Sequence, residues 1–181
     1  MRRFLWIAIL AALPLAGCGN RNLILTVDVL SFMDPASRQT SYGPIPSGVP
    51  VETVTVFQDS LSLLQGVGDL SRVASASLKV GASFDNTSGT ANVEFQVYVA
   101  PETAASPFSV PPIADLPVQL LPGQVTNVNT TINASPILAD ALTHDRAKVA
   151  VRMIFTGTTF PIQGTETLTE LTAIVVLKQD L

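Results

Sequence analysis

The sequence predicts an all-β body: two antiparallel sheets packed face to face as a β-sandwich, with one short helix. Three observations carry this expectation. Apolar and polar side chains alternate with a strict two-residue period through several long segments, proline and glycine punctuate the joins, and helical periodicity is almost absent. Alternation fixes which face of a strand is buried but not which strands are neighbours, so an immunoglobulin-like and a jelly-roll-like order both satisfy the pattern.

In chain order, Leu23 to Phe32 reads as a first strand and Val51 to Phe57 as a second. The clearest alternation follows. Ala74, Ala76, Leu78, Val80, Ala82 and Phe84 point one way, with Ser75, Ser77, Lys79 and Ser83 between them. After Asp85-Asn86-Thr87-Ser88-Gly89 the period resumes, with Ala91, Val93, Phe95, Val97 and Val99 inward and Asn92, Glu94, Gln96 and Tyr98 outward. Two matched strands across a short Asn/Gly segment predict a β-hairpin. Leu116 to Leu121 and Gln124 to Ile132 form a pair hinged at Pro122-Gly123. Ala147 to Phe155 and Thr165 to Leu177 form a further hairpin, in which Val149, Val151, Met153 and Phe155 face Leu171, Ala173, Val175 and Leu177. The total is about eight strands. The one helix is predicted over Ser135 to Thr143, where Ser135 suits the N-cap and Pro136 the first helical position.

Two segments break the alternation. Asp34 to Pro50 contains Pro35, Pro44, Pro46 and Pro50, and Pro101 to Pro112 contains Pro101, Pro107, Pro111 and Pro112. Proline removes a ladder donor, so both are expected to be loops or edge segments. Such loops either bind something, with Tyr42 and Phe108 as the contact residues, or blunt sheet edges.

The first 22 residues have a different character. Met1-Arg2-Arg3 precedes an apolar run from Phe4 to Leu13, and Leu15-Ala16-Gly17-Cys18 follows. A basic start, a short apolar core and small residues before a cut site make an export signal, and the run is well short of the ~20 apolar residues that cross a bilayer. The four residues ending at Cys18 resemble the lipobox of bacterial lipoproteins. That resemblance covers about the first tenth of the chain. It implies that residues 1–17 are a signal peptide, that the Cys18 sulfur receives diacylglycerol, and that Cys18 becomes the first residue of the mature protein. Two acyl chains hold a protein on a membrane durably where one holds it marginally. Residues 18–22 then form a short tether, since the four residues Gly19 to Asn22 reach at most ~14 Å, and 23–181 form a single domain. Gly19, rather than Asp, follows the lipidated position, which by the same resemblance permits the outer membrane as well as the outer side of the cytoplasmic membrane.

Cleavage leaves 164 of the 181 residues, enough for one core. Loss of Arg2 and Arg3 leaves eight basic residues against 14 acidic ones, a formal charge of −6, with no Lys/Arg cluster. That composition argues against nucleic acid as a partner. Cys18 is the only cysteine, so the body has no internal disulfide, and Trp6, the only tryptophan, leaves with the leader.

Catalytic signatures are lacking. His144 is the single histidine, which excludes a His-rich metal site. Asp140 and His144 at i, i+4 with Asp145 read better as a helix end than as a metal or acid/base cluster. No Gly-x-Ser-x-Gly surrounds any serine, and Gly66-Val67-Gly68 lacks the third glycine of a nucleotide loop. Glu166 and Glu170 share one side of a strand and read as solvated surface rather than as a glycosidase pair. The Asn-x-Ser/Thr matches at Asn86, Asn129 and Asn133 read as turn and exposed strand positions. No cofactor and no metal are expected. The sequence therefore points to a non-enzymatic envelope lipoprotein, an interaction or structural module held by its lipid and free to meet an envelope protein partner. A lipoprotein that binds a small apolar ligand or lipid is the alternative.

Overall fold

The computed structural model describes residues 21–46, 50–64, 73–144 and 146–179. Its strands are β1 (Arg21–Asp28), β2 (Gln39–Ile45), β3 (Val51–Leu61), β4 (Val73–Pro101), β5 (Ala114–Leu120), β6 (Gln124–Ile132) and β7 (Ala147–Gln179), with one helix, α1 (Pro136–Leu142), before the last strand. Short 3-10 turns cover Val29–Phe32, Pro35–Arg38 and Pro107–Ser109. All strand pairing is antiparallel, within one seven-stranded sheet.

Two very long strands organise the sheet. β4 runs 29 residues and β7 runs 33, and they pair from Val73↔Leu177 to Pro101↔Ala147. On the free edge of β7 lie β1 (against residues 172–179), β2 (against 162–167) and β3 (against 147–155). On the free edge of β4 lie β6 (against 78–86) and β5 (against 91–97). Each end of the β4/β7 ribbon is thus four strands wide, and the ribbon bends between them. Phe84 and Phe95 demonstrate the bend: eleven residues of straight strand span roughly 36 Å, yet these rings meet edge to face with centroids 5.6 Å apart.

The bend falls where register is lost, at Asn86/Ser88, Ser88/Thr90 and Thr90/Ala91. Bulges raise local twist and re-aim a strand. Asn86 donates its side-chain amide to the Gly89 carbonyl at 2.8 Å, and Gly89 takes φ +73°, a conformation that disfavours any side chain. Ser88 and Thr87 donate their hydroxyls to the carbonyls of Pro161 and Gln163, each at 2.9 Å, fastening the kink to β7.

This corrects three sequence expectations. Residues 85–89 are not a hairpin turn: the chain passes through them as one strand, because both halves of β4 find their partner in β7. Residues 147–155 and 165–177 are likewise halves of the single strand β7. The third correction concerns residues 116–121 and 124–132, which turn at Gly123 (φ +68°) but do not pair with each other; β5 and β6 each take a different stretch of β4. Among the described residues there are seven strands, joined in one curled sheet.

The inward faces follow the alternation closely. Leu78, Val80, Ala82, Phe84, Val93, Phe95, Val149, Val151, Met153, Phe155, Leu171 and Val175 all lie in one buried apolar cluster, and Ala74, at the start of the pattern, is exposed. The helix forms as expected. Ser135 Oγ accepts from the Leu138 N–H at 3.2 Å, Pro136 opens the first turn, and Leu138, Ala141 and Leu142 are buried against β4.

Candidate functional site

Cys18 lies outside the described residues, as do Gly66-Val67-Gly68 and Asp145. Tyr42, Asn86 and Glu166 lie in a cluster inside the core, and Phe108 lies in a second cluster on the outer face of the sheet.

The inner cluster begins with Tyr42. The Asp34–Pro50 segment, expected to be a loop or edge, contains edge strand β2, with the cis Gly43–Pro44 peptide in its irregular stretch. Pairing with β7 turns Tyr42 inward, where it is 1% exposed and packs on Phe155 with centroids 4.8 Å apart. Tyr42 is therefore a core residue rather than a binding-loop contact. Its hydroxyl donates to Asn86 Oδ1 at 3.3 Å. Asn86 is fully buried within strand β4, which corrects its assignment to a turn, whereas Asn129 and Asn133 are exposed as expected.

Glu166 completes the cluster, which corrects its reading as solvated surface. It is 2% exposed, and its Oε1 has no hydrogen-bond partner. Burial raises its carboxyl from the ordinary 4.5 to about 8, so the side chain is neutral at pH 7. The Tyr42 hydroxyl is also pushed up, first by burial, then by the charge of Asp85 and, at the high pH where it is ionised, by Glu166. Glu166 and Glu170 do not form a pair. Gly81 pairs with Glu170 and Ala82 with Leu168, which makes Thr169 an extra residue, and both Leu168 and Leu171 are buried. The bulge turns Glu166 to the core face and leaves Glu170 half-exposed on the other. Sequence period alone cannot reveal an inserted residue of this kind. The inner cluster is closed off from solvent, so its chemistry is that of fold stability.

The outer cluster lies on the opposite face of β4 and β7. Here Phe108, in the Pro107–Ser109 turn, packs edge to face on Tyr98 with centroids 5.0 Å apart, and the Arg152 guanidinium stands 5.2 Å from the Tyr98 ring and 5.8 Å from the Phe108 ring. Gln96 ties the group together. Its Oε1 accepts from Tyr98 Oη at 2.7 Å and Arg152 Nε at 2.8 Å, while its amide donates to Asp115 Oδ2 at 3.3 Å. The Pro101–Pro112 segment thus lies over the outer face, burying Tyr98 and Ala100 away from the main core. Phe108 is half-buried and contributes to this cover.

Asp140 and His144 meet only through the Asp140 backbone carbonyl, 3.1 Å from His144 Nδ1 at the end of α1. Among the described residues no group of three His, Cys, Asp or Glu side chains is placed to hold a metal ion, and no helix is long and apolar enough to cross a membrane.

No protein-family model and no curated protein matches the chain. Among solved structures, a chain of infectious bursal disease virus, Gt strain, is similar over 87% of this chain and 33% of its own, at 11% identity and TM-score 0.42. The VP2 subviral particle of the same virus gives 12% identity and TM-score 0.35 over the same shares. The coat protein of tobacco streak virus gives 9% identity and TM-score 0.24 over 88% of each chain. The chain spans about a third of the length of the bursal disease virus chains it matches. Likeness this loose does not bear on function.

Proposed function

We propose that the protein is a membrane-anchored bacterial envelope lipoprotein whose body acts as a non-enzymatic interaction or structural module. One observation carries this reading: Leu15-Ala16-Gly17-Cys18 directly follows a basic, then apolar, leader. The protein is held on the outer side of the cytoplasmic membrane or on an outer membrane by acyl chains on Cys18, and its body meets an envelope protein partner. The two ends of the curled ribbon act as the two layers of a β-sandwich, in a jelly-roll-like or immunoglobulin-like sense, with Phe84–Phe95 and Tyr42–Phe155 contacts filling the space between them. Those contacts favour a packed module over a carrier of an apolar ligand between the layers. The clustered polar groups support the same reading, because they lie within the core or fasten the proline-rich cover.

The test is metabolic labelling with palmitate, comparing the native protein with Cys18→Ser. Label in the native protein alone supports the anchor, and label in neither contradicts it. A pull-down from detergent-solubilised membranes tests the second half: recovery of a stable protein partner supports the module, and turnover of an envelope substrate by the purified protein contradicts it.

A further inference from the structure

The described residues hold five large apolar side chains in the open, two of them adjacent. Leu23 is 40% exposed and Ile24 65% exposed, both at the start of edge strand β1. Neighbours in a strand point to opposite faces, so each face of this corner of the sheet carries one exposed apolar side chain. Register extends the outer side: Ile24 sits opposite half-buried Val176, which in turn sits opposite Ser75. Arg21 and Lys178 occupy neighbouring register positions at the same corner.

Chain length decides what covers this corner. Only four residues, Gly19 to Asn22, separate Cys18 from Leu23, a reach of at most ~14 Å. Acyl chains on Cys18 enter the hydrocarbon, so the start of β1 is held within about 14 Å of the hydrocarbon boundary, inside or next to the head-group layer, whatever orientation the rest of the body takes. We infer that Leu23 and Ile24 form a membrane-contacting corner that sits in the bilayer interface and sets the orientation of the domain. This rests on the proposed lipid at Cys18 and adds to it a second, protein-borne contact. Cooperation of an anchor with adjacent apolar side chains is the usual physics of interfacial attachment.

The mature protein's lack of tryptophan makes the test direct. Ile24→Trp places a sole tryptophan, excited selectively over the two tyrosines, at the corner. Val125→Trp places one at another exposed site, 60% exposed, on β6 opposite Asp85, roughly 40 Å of strand away from Val73 and its partner Leu177. Each protein is purified with its lipid, verified by intact mass, and reconstituted into phosphatidylethanolamine/phosphatidylglycerol vesicles with or without brominated acyl chains. The inference predicts a blue-shifted Ile24→Trp emission that bromolipid quenches about two-fold or more, and an unquenched Val125→Trp emission. An acylated Ile24→Trp protein with unshifted, unquenched emission overturns the inference and leaves the anchor standing. A blue shift that grows with protein concentration and ignores bromolipid identifies a second copy of the chain as the occupant, and also overturns it. Absence of acyl chains from Cys18 removes both readings.

Discussion

The Tyr42 ring crosses directly over Gly164, its partner in the β2/β7 register, and takes the space in which a side chain at 164 would stand. A Cβ there would collide with the Tyr42 hydroxyl, the Tyr42 Cζ and the Asp85 carbonyl. The glycine is what allows β2 to deliver a large aromatic into the core beside Phe155. Gly164→Ala is expected to destabilise the protein by about 2–3 kcal/mol through overpacking, measured as a lower urea midpoint at unchanged slope. In a Tyr42→Ala background the same substitution should cost less, because the ring's share of the collision is gone while the Asp85 carbonyl still opposes the added Cβ. Equal losses in both backgrounds would show that the two residues are not coupled.

Glu166 predicts a pH dependence of stability. The folded state holds its carboxyl proton up to about pH 8, whereas the unfolded state releases it near 4.5. Between those values the folded state binds more protons, so this group's contribution is fully present below pH 4.5, declines as pH rises, and levels off above pH 8. The decline is at most about 1.4 kcal/mol per unit across the window. Glu166→Gln, which stays neutral, should flatten this part of the profile and raise stability at pH 8 by a few kcal/mol at most. Denaturation at pH 5, 6.5 and 8 checks it. A Gln protein with the same slope as the native one would show that the carboxyl is not the titrating group.

Phe108 decides the role of the proline-rich cover. If it packs the outer face as its contacts with Tyr98 and Arg152 indicate, Phe108→Ala should lower stability by about 1–2 kcal/mol and expose Tyr98 to solvent. Urea denaturation and tyrosine fluorescence read both effects. Unchanged stability with loss of a captured partner would instead return Phe108 to the binding role expected from sequence.

The α1 N-cap gives a smaller, local effect. Ser135→Ala removes the hydroxyl that accepts from the Leu138 N–H, at a cost of about 1 kcal/mol. Ser135→Asp should restore most of that stability, and thermal denaturation of the three proteins checks the order.

Much of the fold was legible because alternation reports burial directly. Leu78 to Phe84 and Ala91 to Val99 turned inward where the period placed them, and Ser135-Pro136 opened the helix. Chain path was not legible. An Asn followed by Gly after three residues signals a reversal and a kink equally well, and only the existence of β7 as a partner for both halves of β4 decides between them. The interior polar cluster was hidden for two separate reasons. Tyr42 sits among prolines that read as loop, although an edge strand tolerates them. Glu166 reads as surface until the Thr169 bulge shifts the alternation by one residue. Phe108 was found in sequence as an aromatic in a loop, but its contact with Tyr98 depends on a fold-back that no local pattern encodes.

The lipid anchor at Cys18 is tested most directly by the intact mass of the protein extracted from membranes in detergent. The mass should equal residues 18–181 plus a diacylglycerol-derived adduct on Cys18, with no indole absorbance because Trp6 has been removed with the leader. A full-length chain that retains Trp6 and carries an unmodified Cys18 would contradict it.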